Sequence, residues 1–189
     1  MYDSQVNIRY AKSLFLLAEE KNQLDKIKKD IDIILHWFEE NEDIDILLEH
    51  PVIKVSKKSE IITSIFKDKI TNATLSFLQL IVKNKREKHL KNICRDFISL
   101  YKKSKGIKTA VLTTSFELTR THEENIKRSI EKIFNAPVDL KTKVDEDLIG
   151  GLVIQVDDKQ LDLSVARQIQ ELKNQFINID FTNKINIKH

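Results

Sequence analysis

Only three glycines occur in the 189 residues, and two of them stand side by side at Gly150-Gly151. A chain this poor in glycine places the residue where backbone geometry demands it, because Gly alone takes positive φ without steric cost. The pair therefore marks a fixed bend. After it, Leu152 to Val156 reads as a strand, Asp157-Asp158-Lys159 as a tight turn and Gln160 to Leu163 as a short returning strand, together a β-hairpin. A phosphate-cradling glycine loop would need a following lysine, a hydroxyl residue and a helix. Here a strand follows instead, and no Gly-Lys-Ser/Thr occurs in the sequence.

Upstream of that bend the spacing of apolar residues is helical. A first helix is expected from about Asp3 or Ser4 to Lys21, and a second from Gln23 to Glu40 on Leu24, Ile27, Ile31, Ile34, Leu35 and Phe38. A short third, Ile44 to Glu49, stops at His50-Pro51, since the residue before proline is pushed out of the helical region. Ser56 is expected to cap a fourth over Lys57 to Lys67, and Thr71 a fifth over Asn72 to Asn84. A sixth runs from Arg86 to Lys105, where Gly106 supplies a stop.

After residue 106 the period changes. Thr109 to Ser115 is β-branched and extended, Thr121-His-Glu-Glu124 has the form of a capping box opening a helix to about Asn135, and Pro137 to Val144 alternates like a strand. The hairpin comes next, then a helix from Ser164 or Val165 to about Phe176. The expected fold is mainly α, a six-helix N-terminal bundle over 1–105 followed by a small α+β domain over 106–178 and a polar tail over 179–189.

Composition narrows the function. Charged residues make up 32% and hydrophobic ones 41%, and no apolar run approaches the ~20 residues of a membrane span. The net charge of +3 is uneven, since residues 51–108 hold 15 Lys/Arg against 4 Asp/Glu. Such a segment can attract lipid headgroups, nucleic acid or an acidic partner, or form a solvated helix face. The single Cys94 excludes an internal disulfide and lies in the apolar set Leu90, Ile93, Phe97 and Ile98, where it reads as a core thiol. The histidines at 36, 50, 89, 122 and 189 lack the short spacings of a metal site. No polar constellation of a catalytic kind is present, so an enzyme is disfavoured and no cofactor is expected.

Binding surfaces are a different matter. The first helix carries two apolar lines, Ala11, Phe15, Ala18 and beside it Tyr10, Leu14, Leu17. The fifth does the same, with Leu75, Leu78 and Val82 on one side and Phe77, Leu80, Ile81 and Asn84 turned away. A helix with one buried face needs an apolar stripe of only about 100°. The excess suits either a central place in the bundle or a groove for a partner's amphipathic helix. Val165, Ile169, Leu172 and Phe176 form a single seam on the last helix, which can close on its own sheet or receive a partner.

Taken in order, Arg9-Tyr-Ala-Lys-Ser-Leu-Phe15, His50-Pro51, Phe77-Leu-Gln-Leu-Ile-Val-Lys-Asn-Lys-Arg86, Asp147-Leu-Ile-Gly-Gly-Leu-Val-Ile154 and Leu161-Asp-Leu-Ser-Val165 resemble the δ subunit family of bacterial F-type ATP synthase, the mitochondrial oligomycin-sensitivity-conferring protein. The resemblance runs from about residue 4 to 178. It implies a non-catalytic stator subunit, one copy per complex, peripheral on the cytoplasmic face of the bacterial inner membrane. Its N-terminal domain would take up an α-subunit N-terminal helix, here carried onto Tyr10, Leu14, Leu17, Phe77, Leu80 and Asn84. Its C-terminal domain would hold the end of the b subunit, here carried onto Ile169, Leu172 and Phe176. Lys85 departs from the pattern, which often has a small residue there, and the tail after Asn178 has no counterpart. The rival reading is a small basic RNA-binding protein; the strands offer neither the sheet aromatics nor the Gly-x-x-Gly clamp of the familiar RNA modules.

Overall fold

The computed structural model describes residues 2–41, 47, 48, 50 and 52–174. The chain divides into two compact units, Met1–Lys105 and Gly106–His189.

Unit one is helical: α1 (Tyr2–Glu20), α2 (Leu24–Glu40), α3 (Val55–Phe66), α4 (Asn72–Lys83), a 3-10 turn at Glu87–His89 and α5 (Leu90–Ser104). Leu47 and Leu48 are also helical; the remainder of the expected third helix and Pro51 lie outside the described residues. The core follows the periodicity. Ile27, Ile31, Ile34 and Phe38 step along α2 by four, three and four, and all are buried. Ala11, Leu14 and Ala18 put the flattest side of α1 against α5, where Phe15 meets Phe97 with ring centroids 6.3 Å apart. Trp37 packs edge-on against Phe66 at 5.1 Å. Cys94 is wholly buried in this core, and burial pushes its thiol up to about 12, so it packs as a small hydrophobe.

Two buried long-range polar ties fix the helices. Asp30 on α2 is buried, and its Oδ2 accepts from Thr71 N (3.0 Å), Thr71 Oγ1 (2.7 Å) and Thr74 Oγ1 (2.6 Å). Thr71 in turn caps α4 by accepting from Thr74 N. Asp30→Asn, which swaps a charged acceptor for a neutral one, is expected to cost about 1–2 kcal/mol, read as a lower urea midpoint at unchanged slope. The second tie is a buried ion pair between Lys58 of α3 and Glu87 of the 3-10 turn. At the surface, Tyr101 Oη donates to Asp25 Oδ1 at 2.7 Å and Lys105 Nζ lies 3.2 Å from the same oxygen, joining the start of α2 to the end of α5. The Tyr101 hydrogen bond first, then Lys105, holds the Asp25 carboxyl below its ordinary range.

Some boundaries differ from expectation. α3 begins at Val55 with Lys54 as its N-cap and no side-chain cap bond, so Ser56 sits inside the first turn. Its start is fixed by Lys57 N and Lys58 N donating to Lys54 O. The expected sixth helix opens as a 3-10 turn, because the chain leaving α4 closes a left-handed cap at Lys85 (φ +56°), with Arg86 N bonded to Ile81 O at 3.0 Å.

Unit two has β1 (Lys108–Thr114), α6 (Arg120–Phe134), β2 (Val138–Val144), β3 (Leu152–Val156) and β4 (Lys159–Asp162). The sheet order is β2-β1-β3-β4, with β1 and β2 parallel across the α6 crossover and the other pairs antiparallel. α6 lays Ile126, Ile130 and Phe134 on Ala110, Val138, Leu140, Ile154 and Val156. Thr119 rather than Thr121 is its N-cap, since His122 N and Glu123 N both donate to Thr119 O; the capping box at Thr121 does not form. The hairpin turn is Asp157-Asp158 alone, with Val156 paired to Lys159. Gly151 has φ +83°, and a Cβ there would lie 2.3 Å from Leu163 O, so both conformation and space require glycine.

Candidate docking surfaces

The two over-apolar helices of unit one touch through Tyr10. On α1, Val6, Tyr10, Ser13 and Leu17 recur at three- and four-residue steps and form a strip beside the buried line Ala11, Leu14, Ala18. On α4, Phe77, Leu80 and Asn84 do the same beside Leu75, Leu78 and Val82. The strips touch at Tyr10: its ring stands edge-on to Phe77 with centroids 6.5 Å apart, and Asn84 Nδ2 donates to its hydroxyl at 3.1 Å.

This geometry sorts the six residues carried over from the resemblance. Tyr10, Phe77 and Asn84 are brought together. Leu80 is 48% exposed, the largest apolar side chain left open on α4, and Leu17 is half-buried. Leu14 is a correction: at 1% exposure it belongs to the bundle core, because it shares the inward face with Ala11 and Ala18. Phe77, 8% exposed, forms the floor beneath Tyr10. Sequence reasoning missed the polar half of the strip. A cavity of 310 Å³ is lined by Val6, Arg9, Tyr10, Ser13 and Arg86, and the three-and-four stepping of Val6, Tyr10, Ser13 and Leu17 was the available signal.

Unit two presents a second surface on residues 165–174, which form a helix. Ser164 caps it: Ser164 Oγ accepts from Arg167 N at 3.2 Å, and Asp162 Oδ1 accepts from Ser164 N at 2.9 Å. The Ser164 side chain first, and its backbone N–H second, hold the Asp162 carboxyl below its ordinary range. Every described residue of this helix is exposed, including Val165, Ile169 (46%) and Leu172 (52%). Over the described residues the seam therefore does not close on the sheet. Phe176 lies outside the described residues. Leu161 and Leu163, which alternate with Gln160 and Asp162 at the edge of β4, also remain exposed and extend the apolar surface up to the helix start.

The histidines found on described residues sit apart: His36 beside Glu40, His122 against Thr119, His50 exposed and His89 buried.

A family model described as the ATP synthase delta (OSCP) subunit matches residues 6–176. The chain belongs to the delta/OSCP family. Among delta subunits, that of Cytophaga hutchinsonii is 34% identical over 176 residues, 93% of this chain and 96% of its own length. The subunit of Desulforudis audaxviator is 30% identical over 174 residues, 92% and 96% of the two chains. In solved structures, a chain of the Toxoplasma gondii mitochondrial ATP synthase hexamer superimposes with a TM-score of 0.74 at 22% identity, over 90% of this chain and 97% of that one, which shows a shared fold. A delta/OSCP subunit is a structural stator part of the complex and carries out no catalysis itself. The RNA-binding alternative finds no support among these relatives. No helix among the described residues is long and apolar enough to cross a membrane.

Proposed function

We propose that this delta/OSCP subunit grips the F1 head and the peripheral stalk at the two surfaces described above. Rotation of the central shaft puts torque on the head, which must be tied to the membrane sector or the proton gradient drives idle co-rotation. Such a tie calls for slow dissociation, and slow dissociation comes from buried apolar anchors more than from charge steering. The α-subunit N-terminal helix occupies the flank between α1 and α4, with Tyr10, Leu17, Leu80 and Asn84 as contacts over Phe77. The end of the b subunit lies on Ile169 and Leu172.

One observation carries this reading: the helix that opens at residue 165 buries none of its described residues, 165–174. In proteins most helical stability comes from packing an apolar face against something else. Its apolar seam is explained by a covering partner. On the same reading, helical Leu47 and Leu48 belong to a short helix that brings the N-terminal unit to six, and the subunit sits once per complex, peripherally on the cytoplasmic face. The test is titration of a synthetic α-subunit N-terminal peptide into the full chain, followed by amide shifts. Saturable shifts on α1 and α4 are expected; shifts confined to other helices, or none, would overturn the groove assignment.

A further inference from the structure

Among the described residues, β4 is the last strand on its side of the sheet of unit two. The register fixes which backbone groups are left over. Leu163 N donates to Leu152 O, and antiparallel pairing alternates, so Leu161 and Leu163 turn their N–H and C=O groups toward β3 while those of Gln160 and Asp162 turn outward. Side chains alternate in the same way. Leu161 stands opposite Ile154, which belongs to the core under α6, and Leu163 stands opposite Leu152, so both leucines project from the α6 face. Both remain exposed beside that helix. An edge with open backbone groups and apolar side chains is a template for another strand, and folded proteins cover such edges. The opposite edge is of a different kind, since β2 is exposed there at Lys141 and Lys143, charges that themselves discourage pairing.

The chain itself carries a segment of matching pattern. Beyond the stretch that the family model matches, Ile177, Ile179, Phe181, Ile185 and Ile187 fall on odd positions, with Asn183 the one polar residue in that series, and every even position from 178 to 188 is polar. That is the period of a strand with one apolar face, written largely in β-branched residues. The segment lies outside the described residues. It can reach the edge: residues 165–174 rise ~15 Å as a helix, and residues 175–181 span about 23 Å when extended. We propose that residues 177–187 dock on the free edge of β4 as a further strand of the same subunit's sheet. Their backbone pairs with Gln160 and Asp162, and their odd-numbered side chains cover Leu161 and Leu163. The subunit thereby closes its own edge against pairing with a second copy. This docking stands whether or not the stalk lies on Ile169 and Leu172.

Amide hydrogen exchange of the full chain, resolved by NMR, tests it. The amides of Gln160 and Asp162 are read as a ratio to that of Leu112 in the interior strand β1, so that a change in overall stability cancels and the edge alone is reported. Two variants accompany the parent. Ile179→Asp with Ile185→Asp puts charges on the docking face, and Ile179→Val with Ile185→Val keeps that face apolar and β-branched. Relative to Leu112, both edge amides are expected to exchange about tenfold or more slowly in the parent and in the valine variant than in the aspartate variant, at every protein concentration. Edge amides that exchange in the parent as fast as those of an unstructured peptide, or whose protection survives the two aspartates, overturn the docking. Protection that grows with protein concentration assigns the edge to a second copy and overturns it as well.

Discussion

Leu80→Asp will weaken binding of an α-subunit N-terminal peptide by about a hundredfold or more, with little effect on folding. Two terms add. Burying a leucine-sized side chain against a partner contributes about 1.5–3 kcal/mol, and the substitution removes it. It also places a carboxylate where an apolar surface would have to cover it, which costs more unless the charge is paired. A loss of about 2.7 kcal/mol already corresponds to a hundredfold in Kd. The fold is spared because Leu80 is half-exposed in the unbound subunit, and surface changes away from caps and cores stay within about 0.5 kcal/mol. Ile8→Asp is the control. Ile8 is as exposed as Leu80 but projects from the opposite side of α1 to Tyr10 and Leu17, so it should bind as the parent does. Calorimetry or fluorescence anisotropy reads both; parental affinity in Leu80→Asp, or an equal loss in Ile8→Asp, would move the groove away from the α1–α4 flank.

The contrast between Leu14 and Leu17 on α1 shows where sequence reading reached its limit. The period of 3.6 residues identified the helices and their apolar excess, and Thr71, Gly106 and Gly150-Gly151 punctuated the chain through local chemistry alone. The choice between Leu14 and Leu17, three residues apart on α1, depends on where α5 presses, and only packing decides it. Leu14 goes inward and Leu17 stays at the rim. Cap positions failed for a related reason. Ser56 and Thr121 are good capping residues, but each helix starts earlier, at Lys54 and Thr119, where the backbone carbonyl already collects two N–H groups. Left-handed residues other than glycine, such as Asn22, Lys85 and Asn135, leave little signal in a sequence, although each ends a helix here. The seam of Ile169 and Leu172 was visible from spacing, while its being uncovered was not, because spacing is the same whether a helix meets its own sheet or another chain.

The buried pair Lys58–Glu87 is the other feature that sequence could not disclose, since its members lie 29 residues apart. Lys58→Ala should destabilise the subunit by about 3–5 kcal/mol, a large part of the ~5–15 kcal/mol that holds a typical domain together. The cause is less the lost attraction than what remains: a carboxylate on a side chain 10% exposed, with both oxygens unpaired once the ammonium is gone. Lys58→Met combined with Glu87→Leu separates the two terms. With neither charge left to desolvate, the double variant should recover most of the loss, because replacing a buried pair by apolar groups of similar volume is often neutral or stabilising. Urea denaturation followed by far-UV circular dichroism measures all three proteins at constant slope. A Lys58→Ala variant within about 0.5 kcal/mol of the parent would mean that Glu87 reaches water once its partner is removed, and that the pair is not sealed in the bundle. A double variant as unstable as the single would instead assign the cost to packing around the lysine stem, with the ion pair itself contributing little.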